Sequence, residues 1–247
     1  MKKISIADAR SIAREVASRH PEPRFYRECG EGMEISKNIY DSDPLVLRFR
    51  EYLEGMGDDF GHGLLHSGLV AVDAGAIVAT ELGGAEEIVK RDVVLVQVAG
   101  LLHDIKRKDK DHAAKGAEEA ARLLKDVGLA DEEVGIIVFA IANHEAFKET
   151  GETADEDGRL ISDALYDADK FRWGPDNFTT TLWEMLSFAD IDIGLMLEGY
   201  SSGMAGVERI KDTFRTNTGK KYGPEFIEIG LRIGREIYDR LVEMRGE

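Results

Sequence analysis

Apolar residues recur three or four positions apart through most of this chain, which is the spacing that gives a helix one buried face. The pattern is clear where Ala113, Ala117, Ala120 and Leu124 fall on one side of a single segment. We predict about ten helices, over residues 6–18, 44–56, 64–82, 86–106, 110–127, 131–143, 159–171, 178–197, 204–214 and 226–244. No convincing alternation of apolar and polar residues marks a strand, so the predicted fold class is all-α.

One of these segments could form a strand instead of a helix. The run from Val93 to Leu102 is rich in β-branched residues, which favour strands, but it continues without turn residues beyond the length of a typical strand. We therefore interpret it as a helix that begins in the acidic residues near Glu86, because acidic side chains suit a helix N-terminus.

Three segments lack helical periodicity and are predicted to be loops. Residues 20–33 and 211–224 contain the Pro and Gly residues that break regular elements. Residues 147–158 carry a cluster of carboxylates and almost no apolar residue to anchor them, so this segment is predicted to be mobile and is a candidate lid.

Composition and charge restrict the class of partner. The chain has 247 residues, 43% of them hydrophobic, which is enough for a sizeable core in one domain over residues 1–247. Its formal net charge of -16 would repel polyphosphate, so we expect no extended contact with nucleic acid and no membrane contact, although a small anion could bind in a locally positive cleft. With no signal peptide and no run of about 18 apolar residues, we expect a cytoplasmic protein whose oligomeric state stays open.

The histidines are unevenly distributed. Five of the six lie between His62 and His144, and a metal site would depend on nitrogen and oxygen ligands because the chain has one cysteine. His62 and His66 are four residues apart, which puts them on one face of a helix, although such pairs are often surface or hydrogen-bonded residues. His66 is the better ligand candidate because it precedes an apolar run, and the role of His62 stays open.

His103 and Asp104 follow the apolar run VVLVQVAGLL. A buried carboxylate at that point must be paired, hydrogen-bonded or bound to a metal, because an uncompensated charge would cost several kcal/mol. The alternative is that the helix emerges into water at Lys106 and leaves Asp104 exposed. We favour a functional role for Asp104.

The order of these residues resembles a known superfamily. His66, then His103-Asp104, then His144, then Asp169 within LYDADKF is similar to the HD-domain superfamily of metal-dependent phosphohydrolases over residues 60–173. The resemblance implies a helical bundle of the HD type, with a metal-binding core at about 60–173 and helical extensions on both sides. The ligands that it implies for a divalent cation are His66, His103, Asp104 and Asp169.

Two points about that ligand set stay open. Asp167 could replace Asp169, although helical geometry turns its side chain about 200° away. Imidazole and carboxylate ligands suit Mn, Fe, Co, Ni, Zn or Mg, and the sequence does not select among these ions.

Two further histidines match positions that some HD subfamilies use for a second metal ion. His112 opens HAAKGAEEAARLL, and His144 lies in IANHEAF. In many members of the superfamily these positions instead face the phosphate or a water molecule, so both residues are candidate catalytic groups. Asn143 stands where dinuclear subfamilies commonly have another histidine, which favours a single ion.

Positive charge concentrates near the candidate ligands. The residues concerned are Lys106, Arg107, Lys108, Lys110, Lys170 and Arg172. Lys106 is a candidate phosphate-binding group, and Lys170 and Arg172 are candidates for a phosphate clamp beside Asp169. The ordinary alternative is that these are solvated cations favoured by helix C-terminal dipoles. Trp173 and Phe178 could form a substrate wall, or they could serve packing alone.

Together these features predict hydrolysis of a small anionic phosphorylated substrate, with nucleotides among the candidates. A bound cation would lower the pKa of a water molecule and polarise the phosphoryl group. Asp104 would orient that water, and Lys106, Lys170 or His112 would stabilise the developing charge. Two alternatives remain: a di-iron HD-type oxygenase that uses His112 and His144 for a second ion, and a non-catalytic sensor or binding domain that contains a structural metal.

Overall fold

The computed structural model describes residues 4–56, 63–84, 86–149, 151 and 156–246. Those residues form twelve α-helices and no strand, so the all-α prediction is confirmed for them. The helices are α1 (Ile6–Ala17), α2 (Phe25–Glu28), α3 (Gly30–Ser42), α4 (Pro44–Met56), α5 (Leu64–Leu82), α6 (Glu87–Leu102), α7 (His112–Leu123), α8 (Asp131–Ala142), α9 (Glu156–Phe171), α10 (Leu182–Phe188), α11 (Ile193–Glu208) and α12 (Asn217–Arg245). A π-helical turn, Asn177–Thr181, leads into α10, and a 3-10 turn, Arg209–Asp212, follows α11.

The core is organised around α5 and α6, which share the most extensive contact between any two described helices. Helices α3 and α9 also pack on α5, and α8 packs on both α6 and α9. Buried apolar side chains from Ile12 in α1 to Leu241 in α12 belong to one continuous cluster. The described residues therefore share a single core.

A glycine lets α5 and α6 approach closely. A Cβ atom at Gly100 would lie 2.8 Å from the Cα atom of Ala71, so a larger residue would push the two helices apart. The crossing lies within two turns of His66 on α5 and within one turn of His103, which follows α6. The N-terminal turn of α5 consequently lies beside the C-terminal end of α6.

Among the described helices, α5 is long and apolar enough to cross a membrane by length and composition. In the structure, 67% of its apolar window is buried inside the protein. Its contacts with α6, α3 and α9 account for that composition, because a helix that is apolar on every side suits the centre of a bundle.

Several predicted boundaries agree with the structure. Helices α4 and α5 begin and end at the predicted residues. Asp43 caps α4, because its carboxylate accepts hydrogen bonds from the backbone of Leu45 and Val46 at 2.9 and 3.1 Å. The segment that admitted a strand is helix α6.

Two predicted loops contain helices. Residues 20–33 include α2 and the beginning of α3, and residues 211–224 include the first turns of α12. Thr216 starts α12, because its hydroxyl accepts a hydrogen bond from the backbone of Gly219 at 2.8 Å. The helix then continues through Pro224, whose helix-breaking tendency was the reason for predicting a loop.

Three predicted helices end early or are interrupted. The helix predicted over 110–127 stops at Leu123. The helix predicted over 86–106 stops at Leu102, and residues 103–111 form a series of turns. The helix predicted over 178–197 is interrupted between α10 and α11, where Asp190 adopts a φ of 51° in the left-handed region.

The candidate lid was predicted over residues 147–158. Residues 150 and 152–155 lie outside the described residues, and Glu156–Gly158 already belong to α9. The loop prediction was therefore wrong for its last three residues, and the lid stays a prediction. His62 also lies outside the described residues.

Candidate metal centre

Three helices bring a first group of ligand atoms together. His66 lies in the first turn of α5, His103 follows α6, and Asp169 lies near the end of α9. The Nε2 atoms of His66 and His103 are 3.3 Å apart, and Oδ1 of Asp169 lies 3.5 Å from the first and 3.8 Å from the second. All three residues are buried and present ligand atoms that could hold one metal ion.

A second buried group shares His103 with the first. Oδ2 of Asp104 lies 3.5 Å from the Nε2 of His103, and Oδ1 of Asp104 lies 3.4 Å from the Nε2 of His144. His103, Asp104 and His144 also present atoms that could hold a metal ion. The alternative in which Asp104 is exposed is thus wrong, because 8% of this residue is accessible.

Hydrogen bonds fix which nitrogen of two imidazoles faces the cluster. Nδ1 of His103 lies 2.7 Å from the carbonyl oxygen of Gly100, and Nδ1 of His144 lies 2.6 Å from that of Ile141. A carbonyl oxygen only accepts, so both Nδ1 atoms carry protons, and in the neutral rings the lone pair is on Nε2. Metal-binding histidines are oriented in this way by backbone carbonyls.

The surroundings also favour the protonation states that a metal requires. Burial lowers the pKa of His103 to about 4, so its imidazole is neutral at pH 7. Burial acts to raise the pKa of Asp104, but His103, His144 and Arg107 outweigh it and bring this pKa well below the usual range. The pKa of Asp169 also lies well below its usual range, because Lys170 and the histidines outweigh the effect of burial. Neutral imidazoles and ionised carboxylates are the metal-binding forms.

The donor set fits a cation of intermediate hardness. Ligands that lie about 2.0–2.2 Å from an ion in tetrahedral or octahedral geometry are roughly 3–3.5 Å from one another. The observed separations of 3.3–3.8 Å among the first three residues are close to that range. Imidazole nitrogen and carboxylate oxygen suit Zn and the first-row divalent ions.

Asp167 has a different role from Asp169. Its carboxylate accepts hydrogen bonds at 2.8 Å from the backbone nitrogens of Arg215 and Thr216, and one at 2.7 Å from the Thr216 hydroxyl. Burial raises the pKa of Asp167 to about 7, although these donors oppose the shift. Asp167 therefore supports the start of α12, and Asp169 is the residue of this pair that faces the cluster.

His112 stands at the edge of the cluster. Its Nε2 lies 3.7 Å from Oδ1 of Asp104 and 2.9 Å from Nη1 of Arg107, while its Nδ1 lies 3.8 Å from Glu145. Burial and then the positive charge of Arg107 lower the pKa of His112. His112 is therefore a neutral group whose Nε2 faces both Asp104 and Arg107, while its Nδ1 faces Glu145.

The two candidate lysines lie in different places. Lys170 is buried, and its ammonium donates hydrogen bonds to Asp169 and, at 2.9 Å, to the carbonyl oxygen of His144. Lys106 faces Glu119 at 3.9 Å and lines a neighbouring depression, which Asp104 and Arg107 also line. The structure thus places Lys170 and Arg107 on the wall of the main cavity beside the cluster, and Lys106 does not line that cavity.

A buried ion pair fixes the chain just beyond Lys170. Arg172 donates hydrogen bonds to Asp73 of α5, to the Tyr26 hydroxyl at 2.8 Å and to Asp176 at 2.5 Å. Burial raises the pKa of Asp73 to about 6 against the attraction of Arg172. With its charge shared by two carboxylates, Arg172 links α9 to α5 and is a structural cation.

A cavity of about 530 Å³ opens beside the cluster. One end is lined by His66, Asp104, Asp169 and the cations Arg107 and Lys170. The other end is lined mainly by apolar side chains from the segment after α9 and from α11; among them are Trp173, Phe178, Met196, Met204 and Val207. This volume lies within the range of roughly 300–1,000 Å³ that small-molecule sites occupy.

Sequence reasoning missed parts of this site. Arg107 was noted only as a member of a basic run, and Glu145 only as a neighbour of His144, yet both line the cavity. The spacing of Asp104 and Arg107, three residues apart, could have indicated a pair. Nothing in the sequence indicated that α11 would form a cavity wall, because its partners are distant in the chain.

No protein-family model matches this chain, and no curated protein or solved structure does so. The fold and the site define the class directly: this is an all-helical protein with a buried His/Asp cluster that could bind metal.

Proposed function

We propose that this protein is a metal-dependent phosphohydrolase of the HD type. The observation that carries the proposal is the position of the adjacent residues His103 and Asp104, which meet His66 and Asp169 from two other helices. The sequence order of these four residues is the one that the HD resemblance requires. Cations beside the cluster support an anionic substrate.

The proposed cation ligands are His66, His103, Asp104 and Asp169. A divalent ion held there would supply Lewis acidity and a water molecule of lowered pKa. Asp104 has one oxygen directed toward His103 and the other toward His144, so it can bind the ion and also hold a proton of the attacking water.

Other residues would bind the substrate and stabilise charge. Arg107 and Lys170 flank the cluster on the cavity wall and can donate to phosphoryl oxygens as negative charge develops on them. His112, held neutral, can accept a hydrogen bond from a water molecule or from the leaving group. Arg107 takes the role that the sequence assigned to Lys106.

One ion fits the geometry better than two. Both groups of ligand atoms use the Nε2 of His103, which can bind only one ion. A second ion would need Asp104, His144 and His112, and the guanidinium of Arg107 lies 2.9 Å from the nitrogen that His112 would offer. This arrangement favours a hydrolase over the di-iron oxygenase.

Metal analysis combined with a phosphatase assay tests the proposal. The variant Asp104→Asn should lose both the bound ion and hydrolysis of phosphomonoesters in the presence of Mn. Asp109→Asn is a matched control, since Asp109 lies in the same series of turns but pairs with Lys115 at 3.8 Å and lines a different depression. Full metal content and activity in Asp104→Asn would contradict the proposal. A metal content of one ion per chain without any phosphatase activity would favour the non-catalytic alternative.

A further inference from the structure

The cavity beside the cluster has two chemically distinct ends, and the second end indicates the substrate class. We propose that the site takes a phosphate ester whose organic part is an apolar chain or ring system rather than a nucleoside. The reaction rests on the proposed phosphohydrolase function, but the binding preference follows from the cavity wall alone.

The charged end would hold the anionic group. Arg107 lies beside Asp104 and Lys170 beside Asp169, and the side chain of Arg107 is 37% exposed, so it can reach a ligand. A ligand bound to the cluster would extend its remaining atoms into the rest of the cavity, whose wall includes α11.

Helix α11 lines the remaining length with one face. The residues that it contributes are Met196, Gly199, Tyr200, Gly203, Met204 and Val207. Counted from Met196, they follow the i, i+3, i+4, i+7 spacing of residues that share one side of a helix. Methionine side chains adapt to irregular apolar shapes, which suits a flexible hydrocarbon.

Gly199 and Gly203 leave space in that wall. A Cβ atom at either position would have no protein atom within 4 Å, so the volume above these glycines is open to a ligand. Trp173 and Phe178 stand on the same cavity wall. Together they enclose a region suited to apolar contact.

Few described polar groups away from the cluster could recognise a sugar or a base. The hydroxyl of Tyr200 already donates to the carbonyl oxygen of Gly234 at 2.9 Å, and Arg172 is held by Asp73 and Asp176. Asn177 and Thr181 are the other polar side chains that the described chain contributes at that end. A nucleoside would lose its hydrogen bonds to water there and regain few of them.

Binding of alkylphosphonates tests this preference without requiring turnover, because their carbon–phosphorus bond resists phosphatases. Butyl-, hexyl- and octylphosphonate would be titrated into the Mn-loaded protein by calorimetry, below the concentrations at which they aggregate. We expect the dissociation constant to fall by roughly fourfold per methylene group. Adenosine monophosphate should bind more weakly than octylphosphonate. Affinity that is independent of chain length, or tighter binding of the nucleotide, would overturn the inference.

A substitution on α11 makes the test specific to the cavity. Gly203→Leu should weaken octylphosphonate binding at least tenfold and leave the metal content unchanged, since the new side chain would occupy the open volume. Gly206→Leu is the matched control: a Cβ at Gly206 also meets no protein atom within 4 Å, but Gly206 does not line the cavity. Equal loss of binding in both variants would overturn the inference.

The two proposals can fail separately. Chain-length-dependent binding without hydrolysis of octyl phosphate would support the apolar ligand and reject the phosphohydrolase. Hydrolysis of nucleotides with no preference for alkyl phosphates would support the phosphohydrolase and overturn the inference about the substrate.

Discussion

Nη1 of Arg107 lies 2.9 Å from Nε2 of His112 at the edge of the metal cluster. A guanidinium has donors and no acceptor, so Nε2 of His112 accepts from Arg107. A second cation that used His112 as a ligand would have to displace this bond, and any cation near Asp104 and His144 would be repelled by the charge of Arg107. We therefore expect Arg107 to disfavour a second ion.

Removing Arg107 should therefore change the metal stoichiometry. In Arg107→Ala, we expect the content at saturating Mn to rise from one ion per chain toward two, as measured by elemental mass spectrometry on the dialysed protein. Lys106→Ala removes the same charge from a neighbour that faces Glu119, and it should stay at one ion. One Mn ion per chain in both variants would contradict the expectation that His112 can bind a second ion.

The crossing of α5 and α6 predicts a stability difference between two glycines. Gly100→Ala should lower the free energy of unfolding by roughly 1–3 kcal/mol, because its methyl group would overlap the backbone of Ala71. Gly135→Ala is the control; it lies inside α8 with no protein atom within 4 Å of a new Cβ, and it should raise stability by roughly 0.5–1 kcal/mol. Urea denaturation measures both. Equal effects would contradict the close helix contact.

Asp73 should make stability depend on pH. Burial raises its pKa from 3.8 to about 6, with Arg172, Tyr26, Asp176 and Lys37 as the other groups that influence it. The folded protein therefore retains the Asp73 proton in a pH range where the unfolded chain has lost it. The contribution of this group to the free energy of unfolding is fully present below about pH 4. It declines as the pH rises to about 6, by at most about 3 kcal/mol.

The variant Asp73→Asn isolates that contribution. The unfolding free energy of the original protein, minus that of Asp73→Asn, should decrease between pH 4 and pH 7. Asp239 is an exposed carboxylate on α12, and Asp239→Asn provides a comparison for general effects of charge removal. A difference that does not vary over this range would show that Asp73 ionises normally in the folded protein.

Metal binding should stabilise the protein through His66. At a metal concentration one hundred times the dissociation constant, the gain is about 2.7 kcal/mol, which a thermal unfolding assay detects. His66→Ala should lose this gain, because it removes one ligand from the first group. His20→Ala should keep it, since His20 pairs with Glu236 away from the cluster. Equal thermal shifts in the two variants would exclude His66 as a ligand.

Helix formation was the part of the fold that the sequence predicted best. Helices α4 and α5 have clear ends: Asp43 and Pro44 start α4, and two glycines follow Leu82. These signals are local, so the residues alone carry them. The helices that the sequence failed to predict depend on contacts with distant residues. Phe25 in α2 is fully buried, with its ring 5.1 Å from that of Phe171, and this tertiary contact outweighs the nearby prolines.

Asp104 could be selected from the sequence because a buried carboxylate is costly without a partner, and the resemblance in residue order implied His66, His103 and Asp169 as the other candidates. The sequence could not predict in the same way how the side chains near these ligands are oriented. Lys106 and Arg107 are adjacent cations in the sequence, and the structure shows that Arg107 lines the main cavity while Lys106 does not. The cavity wall on α11 depends on how that helix packs against α12, and this information is spread over distant residues.

Gly100 connects the architecture of the bundle with the chemistry of the cluster. The absence of a side chain sets the spacing of two central helices, and the carbonyl oxygen of the same residue holds the imidazole of His103. A shift in helix spacing would move His103 away from His66 of α5, whose Nε2 atom lies 3.3 Å from that of His103. A larger side chain at position 100 would therefore disturb both the packing of the bundle and the alignment of these two imidazoles.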